Sequence, residues 1–214
     1  MRLRIRNLLL LLILISCAAA VKWYLKSAEQ GNAKAQNHLG LMYYKGDGVL
    51  KDSAEAVKWF RKSAEQGYAS AQYNLGLMYY NGDGTRKDSV EALKWYRKSA
   101  EQGNANAQNN LGVMYNKGDG VLKDSVEALK WLLKSAEQGY ASAQYNLGVM
   151  YNKGDGVLKD SVEAHAWYNN ASANGNEAAK KKLSNIEKTM NPDQISDANK
   201  LAREIFNRIS TNKN

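Results

Sequence analysis

Residues 68–103 read YASAQYNLGLMYYNGDGTRKDSVEALKWYRKSAEQG, and the chain repeats this pattern. Residues 32–67, 104–139 and 140–175 carry the same pattern in the same register. One tryptophan recurs every 36 residues, at Trp23, Trp59, Trp95, Trp131 and Trp167. A fixed period of roughly 20 to 50 residues is the signature of a stacked-repeat fold. The sequence therefore predicts four complete structural repeats.

Each repeat is predicted to contain two helices. In residues 68–103, Ala71 and Leu75 begin the i, i+4, i+7, i+8 apolar spacing of a helix, here called helix A. Gly82 is predicted to end it, because glycine adopts the left-handed backbone conformation without steric penalty. Asp88 and Glu91 then form the Asp-x-x-Glu pattern of a capping box, which predicts the start of helix B.

Tryptophan and glycine at fixed repeat positions have a structural interpretation. The tryptophans of the complete repeats lie on the apolar face of helix B and are predicted to be buried. Glycine inside helix A costs about 1 kcal/mol relative to alanine, which indicates a close helix crossing at that point. The glycines concerned are Gly40, Gly76, Gly112 and Gly148.

The combined motifs resemble a known repeat family. Ala-x-x-x-Leu-Gly-x-Met-Tyr, Gly-x-Gly-Val, Asp-x-x-x-Ala-x-x-Trp and a closing Gly are similar to the Sel-one-like repeat (SLR), a relative of tetratricopeptide repeats. The resemblance implies an all-α, right-handed superhelical solenoid of antiparallel helix pairs with 36-residue repeats. It also implies a non-catalytic interaction scaffold or adaptor that binds a protein or peptide partner. We expect a monomer.

The sequences on either side of the repeats are consistent with this interpretation. Residues 17–31 match a half-repeat consisting of helix B alone, and residues 176–209 are predicted to form capping helices. Asn191, with proline next and Gln194 at N3, is a helix N-cap. The last helix should fold back over the final repeat with Ile195, Leu201, Ile205, Phe206 and Ile209 on its apolar positions. Residues 210–214 are expected to fray.

Residues 1–20 have the features of an export leader. Three arginines precede an apolar run over residues 8–15, and small residues follow. Leu14-Ile15-Ser16-Cys17 resembles the lipobox of bacterial lipoproteins, which would be cut before Cys17, whereas residues 18–20 fit ordinary cleavage after Ala20. An uncleaved anchor is the third alternative. We expect an exported protein that is periplasmic, anchored to an envelope membrane through lipid on Cys17, or secreted.

The sequence contains no constellation that indicates catalysis, a cofactor or a metal. His38 and His165 lie in different repeats, and Cys17 is the only cysteine, so neither a metal site nor a nucleophile–base pair can be assembled. The Gly-Asp-Gly turns lack the alternating acids of a calcium loop. Two other functions remain as alternatives: an envelope hydrolase or β-lactam binder, and a nucleic-acid-binding protein suggested by the isoelectric point of about 9.4. We expect no nucleic-acid partner.

The variable positions of helix A are the candidate binding residues. A helical wheel places Tyr73, Leu77 and Tyr80 opposite the core face, and Tyr145 and Val149 occupy the same positions two repeats later. In related solenoids helix A lines the concave surface, where tyrosine and asparagine suit a peptide-binding groove. The alternative is that these residues pack against helix B of the preceding repeat.

Overall fold

The computed structural model of the protein describes residues 21–211, and all regular secondary structure in that range is helical. The leader with Cys17, and residues 212–214, lie outside the described residues. The helices are α1 (residues 21–29), α2 (Ala33–Lys45), α3 (Ser53–Glu65), α4 (Ala69–Asn81), α5 (Ser89–Glu101), α6 (Ala105–Lys117), α7 (Ser125–Ala136), α8 (Ala141–Lys153), α9 (Ser161–Ala173), α10 (Glu177–Glu187) and α11 (Pro192–Thr211). The predicted all-α fold of paired helices at 36-residue spacing is confirmed.

The chain divides into two compact units. Unit 1 ends at Ser99 and unit 2 begins at Ala100. In unit 1, α2 packs on α3 and α3 packs on α4. In unit 2, each helix from α6 to α9 packs on the next, and α9 also contacts α10 and α11. Within each unit, therefore, a helix B contacts helix A of its own repeat and of the following repeat.

The helix A ends follow the predicted turn chemistry. Gly82 has φ of 82°, and its N–H donates to the carbonyl oxygen of Met78 at 2.8 Å. The N–H of Asp83 donates to the same oxygen at 3.0 Å. The same left-handed glycine follows α2, α6 and α8. Glycine is required here because other residues rarely adopt this φ without strain.

The capping box at the start of helix B is only half formed. Asp52 Oδ1 accepts hydrogen bonds from the N–H groups of Ala54 and Glu55, both at 2.9 Å, as predicted. The Glu55 carboxylate, however, pairs with Lys58 Nζ at 2.7 Å instead of returning to the Asp52 N–H. That N–H already donates to the carbonyl oxygen of Tyr43 at 2.9 Å. The reciprocal bond is therefore unnecessary, because the preceding helix satisfies the donor.

Large side chains of helix B cover the glycines inside helix A. A Cβ at Gly76 would lie 2.7 Å from Cδ1 of Tyr96. Phe60, Leu132 and Tyr168 lie equally close to Gly40, Gly112 and Gly148, respectively. The absence of a side chain on helix A thus lets helix B approach, which explains why the repeat tolerates the cost of a helical glycine. The tryptophans of the complete repeats, Trp59, Trp95, Trp131 and Trp167, are buried.

A buried glutamine connects each helix A to the helix B before it. The Gln72 side chain donates to the Ala64 carbonyl oxygen at 3.2 Å, and Gln36 donates to Ala28 at 3.0 Å. Gln144 makes the same bond to Ala136 at 3.3 Å in unit 2. These bonds satisfy carbonyl groups near the C-terminal end of helix B, where the helix itself has no donors left. They fix the register of neighbouring repeats within each unit.

Helix α11 packs against α9. Its N-terminus has a complete capping box, since the Asn191 N–H donates to the Gln194 side chain at 3.0 Å and Asn191 Oδ1 accepts from the Gln194 N–H at 2.9 Å. Ile205 and Ile209 are buried, as the apolar spacing predicted, but Phe206 is 53% exposed. It follows Ile205 directly and so points about 100° away around the helix. The helix extends to Thr211, which includes the first two residues of the predicted frayed tail.

Candidate interaction surface

The predicted binding positions form one stripe in each unit. The unit 1 stripe comprises Asn37, Leu41 and Tyr44 of α2 with Tyr73, Leu77 and Tyr80 of α4. The unit 2 stripe comprises Asn109, Val113 and Asn116 of α6 with Tyr145, Val149 and Asn152 of α8. The two leading asparagines are buried, and the other stripe residues are half-buried. The half-buried side chains of each stripe are therefore partly accessible to solvent, although the helices that carry them are packed against neighbouring helices.

Two of the stripe tyrosines, Tyr73 and Tyr145, pack against a tyrosine of helix B. The rings of Tyr73 and Tyr96 have centroids 5.9 Å apart, and Tyr145 lies at the same distance from Tyr168. Val149 also packs against the cluster that contains Tyr168. The helical wheel placed these positions opposite the core face of helix A, and the alternative was a contact with helix B of the preceding repeat. The observed contact is with helix B of the same repeat, and it limits the rotamers that Tyr73 and Tyr145 can adopt.

Hydrogen bonds between asparagines join successive A helices along each stripe. The Asn74 side chain donates to Asn37 Oδ1 at 2.9 Å in unit 1. Asn146 donates to Asn109 Oδ1 at the same distance in unit 2. Sequence reasoning missed this pairing, although its signal is present as asparagines 37 residues apart. The bonds fix the relative position of the two A helices that form a stripe.

One end of the unit 1 stripe combines tyrosine hydroxyls with charge. Tyr44 donates to Asp83 Oδ2 at 3.3 Å, and Lys51 Nζ lies 5.9 Å from the Tyr44 ring centroid. Lys87 Nζ lies 5.6 Å from the ring of Tyr80. Burial, followed by the Asp83 carboxylate, raises the pKa of the Tyr44 hydroxyl, so it remains a hydrogen-bond donor at neutral pH.

A small pocket opens in the unit 2 stripe. It has a volume of about 100 Å³, and Val113, Asn116 and Val149 of the stripe line it together with Leu132 and Met150. A cavity of about 150 Å³ accommodates benzene, so this pocket suits one aliphatic side chain. Asn116 and Asn146 also line the pocket. Each already makes one side-chain hydrogen bond, to Ser125 and Asn109, respectively, and each amide retains further capacity to hydrogen-bond a peptide backbone. The arrangement is suited to binding an extended peptide.

The titratable side chains outside the stripes form no metal-binding cluster in the part of the chain that the structure describes. Within residues 21–211, no cluster of three His, Cys, Asp or Glu side chains is placed to hold a metal ion. His165 is fully buried, with Nε2 3.1 Å from Glu187, whereas His38 lies in unit 1 beside the ring of Tyr24. Burial raises the pKa of the Tyr168 hydroxyl, so it stays protonated at neutral pH. None of the described helices combines the length and apolar character needed to span a bilayer.

Paired helices with glycine-mediated crossings and a 36-residue period define a repeat protein of the tetratricopeptide-like class. The Sel1 repeat pattern matches residues 16–32, 33–68, 69–104, 105–140 and 141–176, and the chain belongs to the Sel1 repeat family. These boundaries lie one residue after the predicted ones for the four complete repeats. Sel1 repeat proteins are generally protein-interaction scaffolds and are typically non-catalytic.

Solved structures show the same fold. A Sel1 repeat protein from Oxalobacter formigenes is 42% identical, over 86% of this chain and 76% of its own, with a TM-score of 0.75. An immunity protein from Pseudomonas aeruginosa is 25% identical, over 89% of this chain and 73% of its own, with a TM-score of 0.53. A second immunity protein of that organism, at 24% identity and a TM-score of 0.53, shares the fold over 89% of this chain and 72% of its own. No curated protein matches the chain.

Proposed function

We propose that this protein is a non-catalytic scaffold of the bacterial envelope that binds an extended segment of a protein partner on its helix A stripes. The supporting observation is that half-buried tyrosines are held on helices joined by Asn74–Asn37 and Asn146–Asn109 hydrogen bonds. A surface that is rigid before binding loses little entropy when the partner docks. Tyrosine adds a large contact area with few rotatable bonds, which makes it an effective anchor.

The chemistry of the stripes describes the partner segment. In unit 2, the pocket walled by Val113 and Val149 accepts an aliphatic side chain, and the nearby asparagine amides pair with backbone groups. In unit 1, the rings of Tyr73 and Tyr80 with Leu77 between them provide an apolar strip. The partner segment is therefore an extended peptide with at least one aliphatic residue.

Removing a stripe tyrosine should weaken partner binding. A hot-spot residue contributes about 2 kcal/mol or more, so Tyr73→Ala or Tyr80→Ala should lower affinity roughly thirtyfold. Calorimetry with the partner recovered by pull-down from envelope extract measures the change. Tyr68→Ala is the matched control, because Tyr68 is a half-buried tyrosine at the N-cap of α4 and lies outside the stripe.

Folding must be checked in the same variants, since Tyr73 packs on Tyr96. Tyr73→Phe retains that ring contact and should keep both the melting profile and most of the affinity. If Tyr73→Ala melts much earlier but binds normally once folded, the tyrosine is only a packing residue. Binding must then be sought on helix B or on the loops that follow Gly46, Gly82, Gly118 and Gly154.

The envelope location rests on the leader sequence. We propose that Cys17 is the first residue of the mature chain and carries a diacylglycerol, because cleavage there retains the residues that lead into α1. Mass spectrometry of protein from membrane fractions should find lipid-modified Cys17, and Cys17→Ser should accumulate unprocessed. A mature N-terminus at Val21, or an intact Met1, would contradict lipidation.

A second candidate function is immunity, meaning protection of the producing cell by binding a toxic protein. The likeness to an immunity protein at 25% identity favours it. Such a role would use the same stripes, so the two candidates differ in partner and not in surface. Cells that lack the protein should then be killed or inhibited by neighbouring cells of the same strain that produce the toxic protein. A scaffold role predicts no such sensitivity.

A further inference from the structure

The exposure of Trp23 distinguishes it from the equivalent tryptophans. Its side chain is 66% exposed, whereas Trp59, one repeat later, is 7% exposed. Trp59 is covered because it packs with Ala28 of the preceding helix B and with Ala35 and Leu39 of its own helix A. Trp23 lies near the start of α1, and within the described residues no earlier helix covers it. A large amphipathic ring is thus exposed on α1.

Other aromatic and cationic residues lie on the same two helices as the Trp23 pocket, α1 and α2. Tyr24 packs edge-on against it, with centroids 5.1 Å apart, and the Tyr24 ring lies 5.2 Å from that of His38. The three rings line a pocket of about 240 Å³ together with Lys34. Lys22 and Lys26 are also exposed on α1, and Glu29 is the only acidic residue between residues 21 and 35. We call Lys22, Trp23, Tyr24, Lys26 and Lys34 the Trp23 patch.

The geometry points to a membrane-contact surface: we infer that the Trp23 patch rests on the headgroup region of an anionic bilayer. Tryptophan and tyrosine prefer this region because one part of the ring is apolar and the other can hydrogen-bond. Lysines near the surface are attracted to anionic lipids. The excess of positive charge on the patch therefore complements the proposed surface.

The sequence before α1 identifies the bilayer as the occupant. The apolar run over residues 8–15 ends eight residues before Trp23. Even a fully extended chain covers at most about 3.6 Å per residue, so the patch stays within roughly 30 Å of that run. If the run or a lipid on Cys17 is held in the membrane, this distance keeps the Trp23 patch close enough to reach the bilayer surface. The inference rests on the proposed envelope function in this respect.

Bromolipid quenching tests the inference with the full chain. Bromine on the acyl chains quenches only tryptophans that reach the bilayer, and Trp95, Trp131 and Trp167 are all buried. Vesicles of brominated phosphatidylcholine and phosphatidylglycerol should quench the tryptophan fluorescence of the full-length protein. Trp23→Phe should abolish this quenching, whereas Trp59→Phe should leave it unchanged.

Charge variants test the role of the lysines. The triple variant Lys22→Gln, Lys26→Gln, Lys34→Gln should lose most of the extra quenching seen when phosphatidylglycerol replaces part of the phosphatidylcholine. The matched control is Lys180→Gln, Lys181→Gln, Lys182→Gln, which removes the same charge from exposed positions of α10. The tryptophan fluorescence of this control should be quenched as strongly as that of the unmodified protein.

Each remaining outcome contradicts membrane contact. If the chain sediments with vesicles but Trp23 is not quenched, the patch does not touch the bilayer, although an anchored scaffold is still supported. Trp23 that is shielded from both bromolipid and aqueous acrylamide is covered by the leader or by a second copy of the chain. Partner affinity, measured separately by calorimetry, reports on the stripes alone, so failure of the proposed function is distinguishable.

Discussion

Trp95→Ala should lower the free energy of unfolding by about 3–5 kcal/mol, whereas Trp23→Ala should lower it by about 1 kcal/mol or less. Trp95 is 5% exposed, and Lys98 Nζ lies 4.7 Å from its ring, so truncation leaves a cavity within packed helices. Trp23 is already mostly in solvent. The same substitution at the same repeat position thus has very different costs.

Urea unfolding followed by far-ultraviolet circular dichroism measures this difference. Because repeats contact mainly their neighbours, the repeat that contains Trp95→Ala should unfold at a lower urea concentration than the other repeats. The overall transition should therefore broaden. A single sharp transition with equal midpoints for the two variants would show that burial at Trp95 does not control stability.

Gly84→Ala should destabilise the protein by about 2–5 kcal/mol, the second largest effect we expect. Gly84 lies in the loop between α4 and α5 and has φ of 67°, which an L-residue adopts with strain. In addition, a Cβ there would collide with the carbonyl group of Ser53 at the start of α3. That obstacle is backbone, so it cannot rotate away. Gly156 has the same relation to Ser125 in unit 2.

Gly67→Ala is the matched control for Gly84→Ala. Gly67 has φ of 89°, but a Cβ at Gly67 would have no neighbour within 4 Å. Only the backbone strain remains there, so the cost should be about 1–2 kcal/mol. The difference between the two losses in unfolding free energy reports the contact between the Gly84 loop and the Ser53 backbone of the preceding repeat. If thermal or urea unfolding gave equal losses of stability for Gly84→Ala and Gly67→Ala, the backbone around Ser53 would be able to move away from the added Cβ without cost.

The fold was predictable because each of its signals acts within one repeat and recurs. Gly82 ends helix A through its own backbone conformation, and Asp52 caps helix B through bonds to residues two and three positions later. Such local chemistry is visible in the sequence. The 36-residue period then repeats the same result along the chain.

The interactions that escaped prediction join residues of different helices. Gln72 looks like a surface residue until its carbonyl partner on Ala64 is known. A helical wheel for α4 shows Tyr73 facing away from the core of that helix, but it contains no information about Tyr96 on α5. Trp23 matches the repeat pattern as well as Trp59 does, yet Trp23 is exposed and Trp59 is buried among Ala28, Ala35 and Leu39.

Site-specific photo-cross-linking tests most directly whether partners bind the helix A stripes. Benzoylphenylalanine placed at Leu77 or Val149 in living cells should give a discrete cross-linked product containing the partner after irradiation. The matched position is Leu122, a leucine 89% exposed in the loop after α6 and outside both stripes. We expect no product from that position. Products from Leu122 with none from Leu77 or Val149 would contradict binding on the stripes.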